Sequence, residues 1–107
     1  MAQGLGGGNS GGLRHIGGAV SSPVVIYEAE PEFSVEARKA KFMGVVLVNL
    51  IVGADGLPTN VHVLRGVGMG LDEKAVEAVR KYRFKPAMEA GNAVAVEMNV
   101  EVNFQIF

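Results

Sequence analysis

The C-terminal stretch of this chain alternates without a slip. Val94, Val96, Met98, Val100, Val102, Phe104 and Ile106 interleave with Ala95, Glu97, Asn99, Glu101, Asn103 and Gln105. Side chains change face at every residue of a strand but repeat every 3.6 residues in a helix. The pattern therefore predicts one long strand, apolar on one side and watered on the other. Whatever else the chain does, it has to build a sheet that accepts this strand and cover its apolar face.

Two further segments supply that sheet. Gly44 opens a run in which Val46, Val48, Leu50 and Val52 share one face, while Val45, Leu47 and Ile51 make the other face apolar as well. Strands apolar on both sides are usually central. Gly53-Ala54-Asp55-Gly56 follows, and Asp-Gly between two apolar runs is a strong hairpin signal. The returning strand is read over Thr59 to Arg65, with Val61 and Val63 inward. Pro58 at its start removes a ladder donor, which suits an edge.

Helical spacing appears twice. Ser34 can cap a short helix over Val35–Lys41, with Phe33, Ala37 and Ala40 on one face. Leu71, Ala75, Ala78, Val79 and Tyr82 form a longer stripe. Asp72 and Glu73 lie at its N-terminal end, Arg80 and Lys81 at its C-terminal end, and Pro86 follows. Gly91-Asn92 reads as a turn, and Val24-Val25-Ile26-Tyr27 as a short strand or an extended segment on the sheet.

These elements predict an α+β domain: a three-stranded antiparallel sheet, ordered second–first–third, with two helices on one face. The order leaves the last strand as an edge with unpaired N–H and C=O groups. No proline or lysine occurs from 93 to 107, although Glu97 and Glu101 offer some protection. An open, regular edge of this kind can accept a partner strand by β-augmentation, or close a homodimer.

The first 22 residues, MAQGLGGGNSGGLRHIGGAVSS, are mostly Gly and Ser. This composition buries little apolar surface, so 1–22 reads as a flexible linker and 23–107 as the domain. A net charge of -1 gives no reason to expect a nucleic-acid partner. The chain has no cysteine, which removes disulfides and thiolate chemistry. No apolar run approaches the roughly 20 residues needed to span a bilayer, and no signal-peptide core is recognisable.

Pro31, Phe33, Ala37-Arg38 and Gly44-Val45-Val46, in this order, begin a longer series of motifs. Alternating valines run into Asp55-Gly56, and a valine-rich return leads to a glycine loop and Leu71-Asp72. Then come Tyr82-Arg83-Phe84-Lys85-Pro86, Gly91 to Val94, and a final strand ending near Asn103-Phe104. Over residues 31–107 the series resembles the TonB C-terminal domain family.

The resemblance implies a periplasmic domain whose parent protein is anchored in the inner membrane and coupled to a proton-channel complex there. It also implies that this domain grips the TonB box of an outer-membrane transporter, transferring the proton-motive force. Carried over by position, the peptide-binding strand is Val94, Ala95, Val96, Glu97, Met98, Asn99, Val100, Glu101, Val102, Asn103 and Phe104. Ser34 stands where the family often has proline, and Tyr82 where tryptophan is common. A Gly-rich stretch occupies the place of the Pro-rich spacer.

Rival chemistries are thin. Gly66-Val67-Gly68-Met69-Gly70 precedes a helix as a phosphate nest would. Its spacing is wrong for one, and Asp72 and Glu73 would repel an anion. His62 has for company only His15 in the Gly-rich stretch, a poor basis for a metal site. Glu97 and Glu101 could pass for a carboxylate pair but read more naturally as solubilising charges on an edge. No nucleophile sits near a recognisable base, and neither an enzyme nor a cofactor is expected. Val45, Leu47, Ile51 and Leu64 should lie on the sheet face away from the helices. Either 24–27 folds over them or two copies pack together.

Overall fold

The computed structural model describes residues 12–105. Its elements run β1 (Val24–Tyr27), α1 (Val35–Ala40), β2 (Gly44–Val52), β3 (Pro58–Arg65), α2 (Leu71–Arg80), β4 (Arg83–Lys85), β5 (Ala87–Glu89), β6 (Asn92–Val94) and β7 (Val96–Phe104). The main sheet has three strands in the order β3-β2-β7, antiparallel throughout, as the patterning predicts. The β2–β7 ladder is unbroken from Gly44↔Phe104 to Val52↔Val96.

Val46, Val48, Leu50 and Val52 are fully buried, and so is the stripe Leu71, Ala75 and Val79 of α2, which packs over β2 and β3. Each of these valines and leucines contributes about 1.5–3 kcal/mol by leaving water, and Ala75 less. The ring of Phe33, just before α1, meets Phe104 of β7 edge-on at 5.4 Å, which brings the start of α1 over the other flank of the sheet. Ser34 caps α1: its Oγ accepts from the Ala37 N–H at 3.1 Å. The same hydroxyl donates to the Met69 carbonyl, tying the cap to the glycine loop.

Three features depart from the sequence reading. Tyr82 closes the buried stripe, but the segment after it becomes β4 and pairs with β1. Val24–Tyr27 therefore joins a small second sheet and does not fold over the main one. Val45 and Leu64 remain 42% and 52% exposed on the outer face.

Second, the C-terminal alternation is cut in two. Val94 lies in β6, paired with Ala87 of β5, and Ala95 separates that hairpin from β7. The hairpin turns at Ala90 and Gly91, both with positive φ (51° and 81°), a bend that alternation alone does not reveal. Ile106 lies outside the described residues.

Third, part of the Gly-rich stretch makes specific contacts. The Arg14 N–H donates to the Ala95 carbonyl at 2.9 Å, and its guanidinium pairs with Glu89 at 2.9 Å. Val20 is buried, and the backbone and hydroxyl of Ser21 exchange hydrogen bonds with Met88. Residues 1–11 lie outside the described range.

Candidate functional site: the outer edge of β7

β2 occupies one flank of β7. On the other flank, among the described residues, Arg14 forms a parallel bridge to Val96, and no strand continues beyond it. The bond to Arg14 fixes the direction of the Ala95 carbonyl, which points away from β2. Backbone polar groups alternate sides along a strand, so those of Glu97, Asn99, Glu101 and Asn103 point the same way. The pairs on either side agree. Asn49 and Asn99 face each other with side chains close enough for the Asn49 amide to donate to Asn99 Oδ1 at 2.8 Å. Such proximity belongs to the narrow pairs whose backbone groups turn outward.

The expected site residues thus divide into three roles. Val96, Val102 and Phe104 are buried, and Met98 and Val100 half-buried; these five turn their side chains inward and hold the strand in place. Asn99, Glu101 and Asn103 present free backbone groups, and Glu97 a free carbonyl, its N–H being turned to the Arg14 carbonyl in the Arg14–Val96 bridge. Val94 and Ala95 precede the strand, and the Ala95 carbonyl already has a partner.

Past its midpoint the edge runs beside a cleft of about 440 Å³, lined on its far side by the segment from Glu28 to Pro31 and by Phe33 and Tyr82. Tyr82 is only 4% exposed, and among the described residues its hydroxyl has no hydrogen-bond partner. Burial pushes its pKa above the ordinary tyrosine value of 10.0, and the neighbouring Glu28 carboxylate pushes in the same direction. Sequence reasoning placed Tyr82 in the helix stripe and passed over Glu28 and Glu30. Their spacing around Ala29, just before Pro31, was the available signal.

The competing sites look different in three dimensions. The glycine loop does form an anion nest, with Gly68, Met69 and Gly70 at φ values of 79°, 56° and 73°. Its occupant is internal: Asp72 Oδ1 accepts from the N–H groups of Val67 and Gly68 at 2.8 and 3.3 Å. His62 is exposed and its Nδ1 lies 2.9 Å from the Asn60 carbonyl. Among the described residues no cluster of His, Cys, Asp or Glu is arranged to hold a metal ion, and no helix is long and apolar enough to cross a membrane. Glu97 and Glu101 are exposed on the outer face of β7.

Comparison with known proteins agrees with this architecture. A sequence family described as "Gram-negative bacterial TonB protein C-terminal" matches residues 29–106. Protein tonB2 of Pseudomonas aeruginosa is 29% identical over 82 residues, covering 76% of this chain; the chain spans 30% of that relative's length. The solution structure of the Pseudomonas aeruginosa TonB CTD shares the fold at a TM-score of 0.66. That match covers 88% of this chain and 94% of the other at 23% identity. The family match takes in both helices, the whole main sheet and all of the cleft lining except Glu28. This chain belongs to the Gram-negative bacterial TonB protein C-terminal family.

Proposed function

We propose that this chain is the periplasmic domain of a TonB-type energy transducer, not an enzyme. In this reading it captures the TonB box of an outer-membrane transporter as an added strand along β7. The parent protein, anchored in the inner membrane, couples the proton-motive force there to transport. The observation that carries the reading is the outward row of backbone groups at Asn99, Glu101 and Asn103, continued by the Glu97 carbonyl, on a strand held firmly from the other side. Family membership supplies the biological setting.

Strand addition along this row forms about 4–6 hydrogen bonds, each worth roughly 1 kcal/mol net. After the cost of association this leaves an affinity near the micromolar range. Isothermal titration calorimetry with a synthetic TonB-box peptide tests it: saturable binding at roughly micromolar Kd is expected. Absence of binding at millimolar peptide would contradict the reading.

The exposed Val45 and Leu64 favour a second reading, in which two copies associate through the sheet. Sedimentation across a concentration series separates the two. A monomer that binds peptide supports capture, and a peptide-indifferent dimer supports self-association.

A further inference from the structure

The cleft beside the C-terminal half of β7 has a one-sided charge. Three acidic residues line it, Glu28, Glu30 and Glu101, and no lysine or arginine does. Among the described residues none of the three is in an ion pair, although Glu32, Glu77 and Glu89 all are. Arg38 stands 6.0 Å from the Phe33 ring centroid but is not part of the lining. The Tyr82 hydroxyl opens onto the same space without a partner among the described residues, at the end of a side chain that is otherwise buried. The hydroxyl, left to solvent at the tip of a buried ring, is free to bond a guest that enters the cleft.

Position gives the cleft its meaning. Glu101 and Asn103 belong both to its wall and to the outward-facing rungs of β7. A strand added at those rungs runs along the cleft, and its side chains on one face enter it. Apolar surface from Phe33 and Val102 accompanies the acids, so a long aliphatic stem ending in a positive charge suits the space better than a compact apolar group.

We infer that the guest strand carries a lysine or arginine opposite Glu101–Asn103, its charged head beside Glu28 and Glu30 and within reach of the Tyr82 hydroxyl. This deepens the strand-addition reading and rests on it: the edge supplies affinity for any extended peptide, and the cleft selects one with a cation at a defined register. Charge complementarity of this kind discriminates between partners more than it raises affinity.

The test uses the full chain, 15N-labelled, and two synthetic eleven-residue peptides of alternating valine and threonine. One carries lysine at a central position and the other glutamine there. At low salt the lysine peptide should bind wild type about fivefold more tightly, as expected for a partly exposed ion pair. That preference should vanish in a Glu28→Gln/Glu30→Gln variant and weaken in Tyr82→Phe. Because Glu28 and Glu30 are exposed, the double variant should keep the wild-type spectrum elsewhere. If both peptides perturb β7 but bind equally, or the preference survives in the double variant, the cation site is overturned while strand addition stands. If neither peptide perturbs β7, strand addition fails and the cation site fails with it.

Discussion

Single residues set the tolerances of this fold, and Gly56 shows how. It sits at φ 81° in the β2–β3 turn, buried, and its carbonyl accepts from the Phe84 N–H at 3.0 Å. A Cβ there would stand 2.2 Å from the Phe84 carbonyl oxygen. Gly91 has the same φ of 81° but open space around it. Left-handed backbone alone costs a non-glycine residue about 1–2 kcal/mol. Urea denaturation should therefore show Gly91→Ala losing about that much, and Gly56→Ala clearly more because β4 has to move. Equal losses would mean that the Gly56–Phe84 contact is slack. The Asp-Gly signal marked this turn in the sequence; its second duty, bracing β4, was invisible because Phe84 is distant along the chain.

Tyr82 makes a pH-dependent contribution at the same scale. Its folded pKa is raised, by burial first and then by Glu28. Its neutral form thus contributes stability that is complete below pH 10, the unfolded value, and is lost as pH rises through the folded pKa. Tyr82→Phe lacks this loss. Comparing urea midpoints at pH 8 and pH 11, wild type should fall further than the variant. Parallel declines would show that Tyr82 ionises without penalty.

Among the elements, β7 is the proposed capture strand, and two neighbouring proline substitutions test its design. Met98 turns its backbone groups toward β2, while Asn99 turns them outward. Met98→Pro should break the central ladder and unfold much of the chain, at a cost of about 3 kcal/mol or more. Asn99→Pro should leave the β2–β7 ladder formed, as seen by circular dichroism and thermal melting, yet abolish peptide capture. Wild-type binding by Asn99→Pro would reverse the assigned direction of that N–H.

The segment around Arg14 bears on the same edge. Removing residues 1–19 frees the Ala95 carbonyl and lengthens the open edge by one bond, worth about 1 kcal/mol. Calorimetry should show up to about fivefold tighter peptide binding in the shortened chain; unchanged affinity would mean that the guest never reaches Ala95. Composition marked this segment only as Gly-rich. Arg14 and Val20 are single residues in such a background and leave no periodic trace, so their contacts could not be read in advance. The short pairings of β1 with β4 and β5 with β6 escaped for the same reason, since three or four residues show too few repeats to define a face.

For the molecule as a whole, the three-stranded order and the two-helix cover were legible because each long element carries its own period. β2 is apolar on both faces and so central; β3 begins with Pro58 and so lies at an edge; β7 alternates cleanly and takes the remaining side. The direction of its backbone groups was not legible, because alternation of side chains says which face is buried but not which residues bond to which neighbour. That parity comes from the Arg14–Ala95 bond, and capture along this edge depends on it. Amide hydrogen exchange, followed residue by residue in the free chain and after saturation with a TonB-box peptide, tests it directly. In the free chain the N–H groups of Asn99, Glu101 and Asn103 should exchange quickly, and those of Met98, Val100 and Val102 slowly. Peptide should slow the first set by an order of magnitude or more. Slow exchange at Asn99, Glu101 and Asn103 before any peptide is added, or binding that leaves them fast, would contradict capture along this edge.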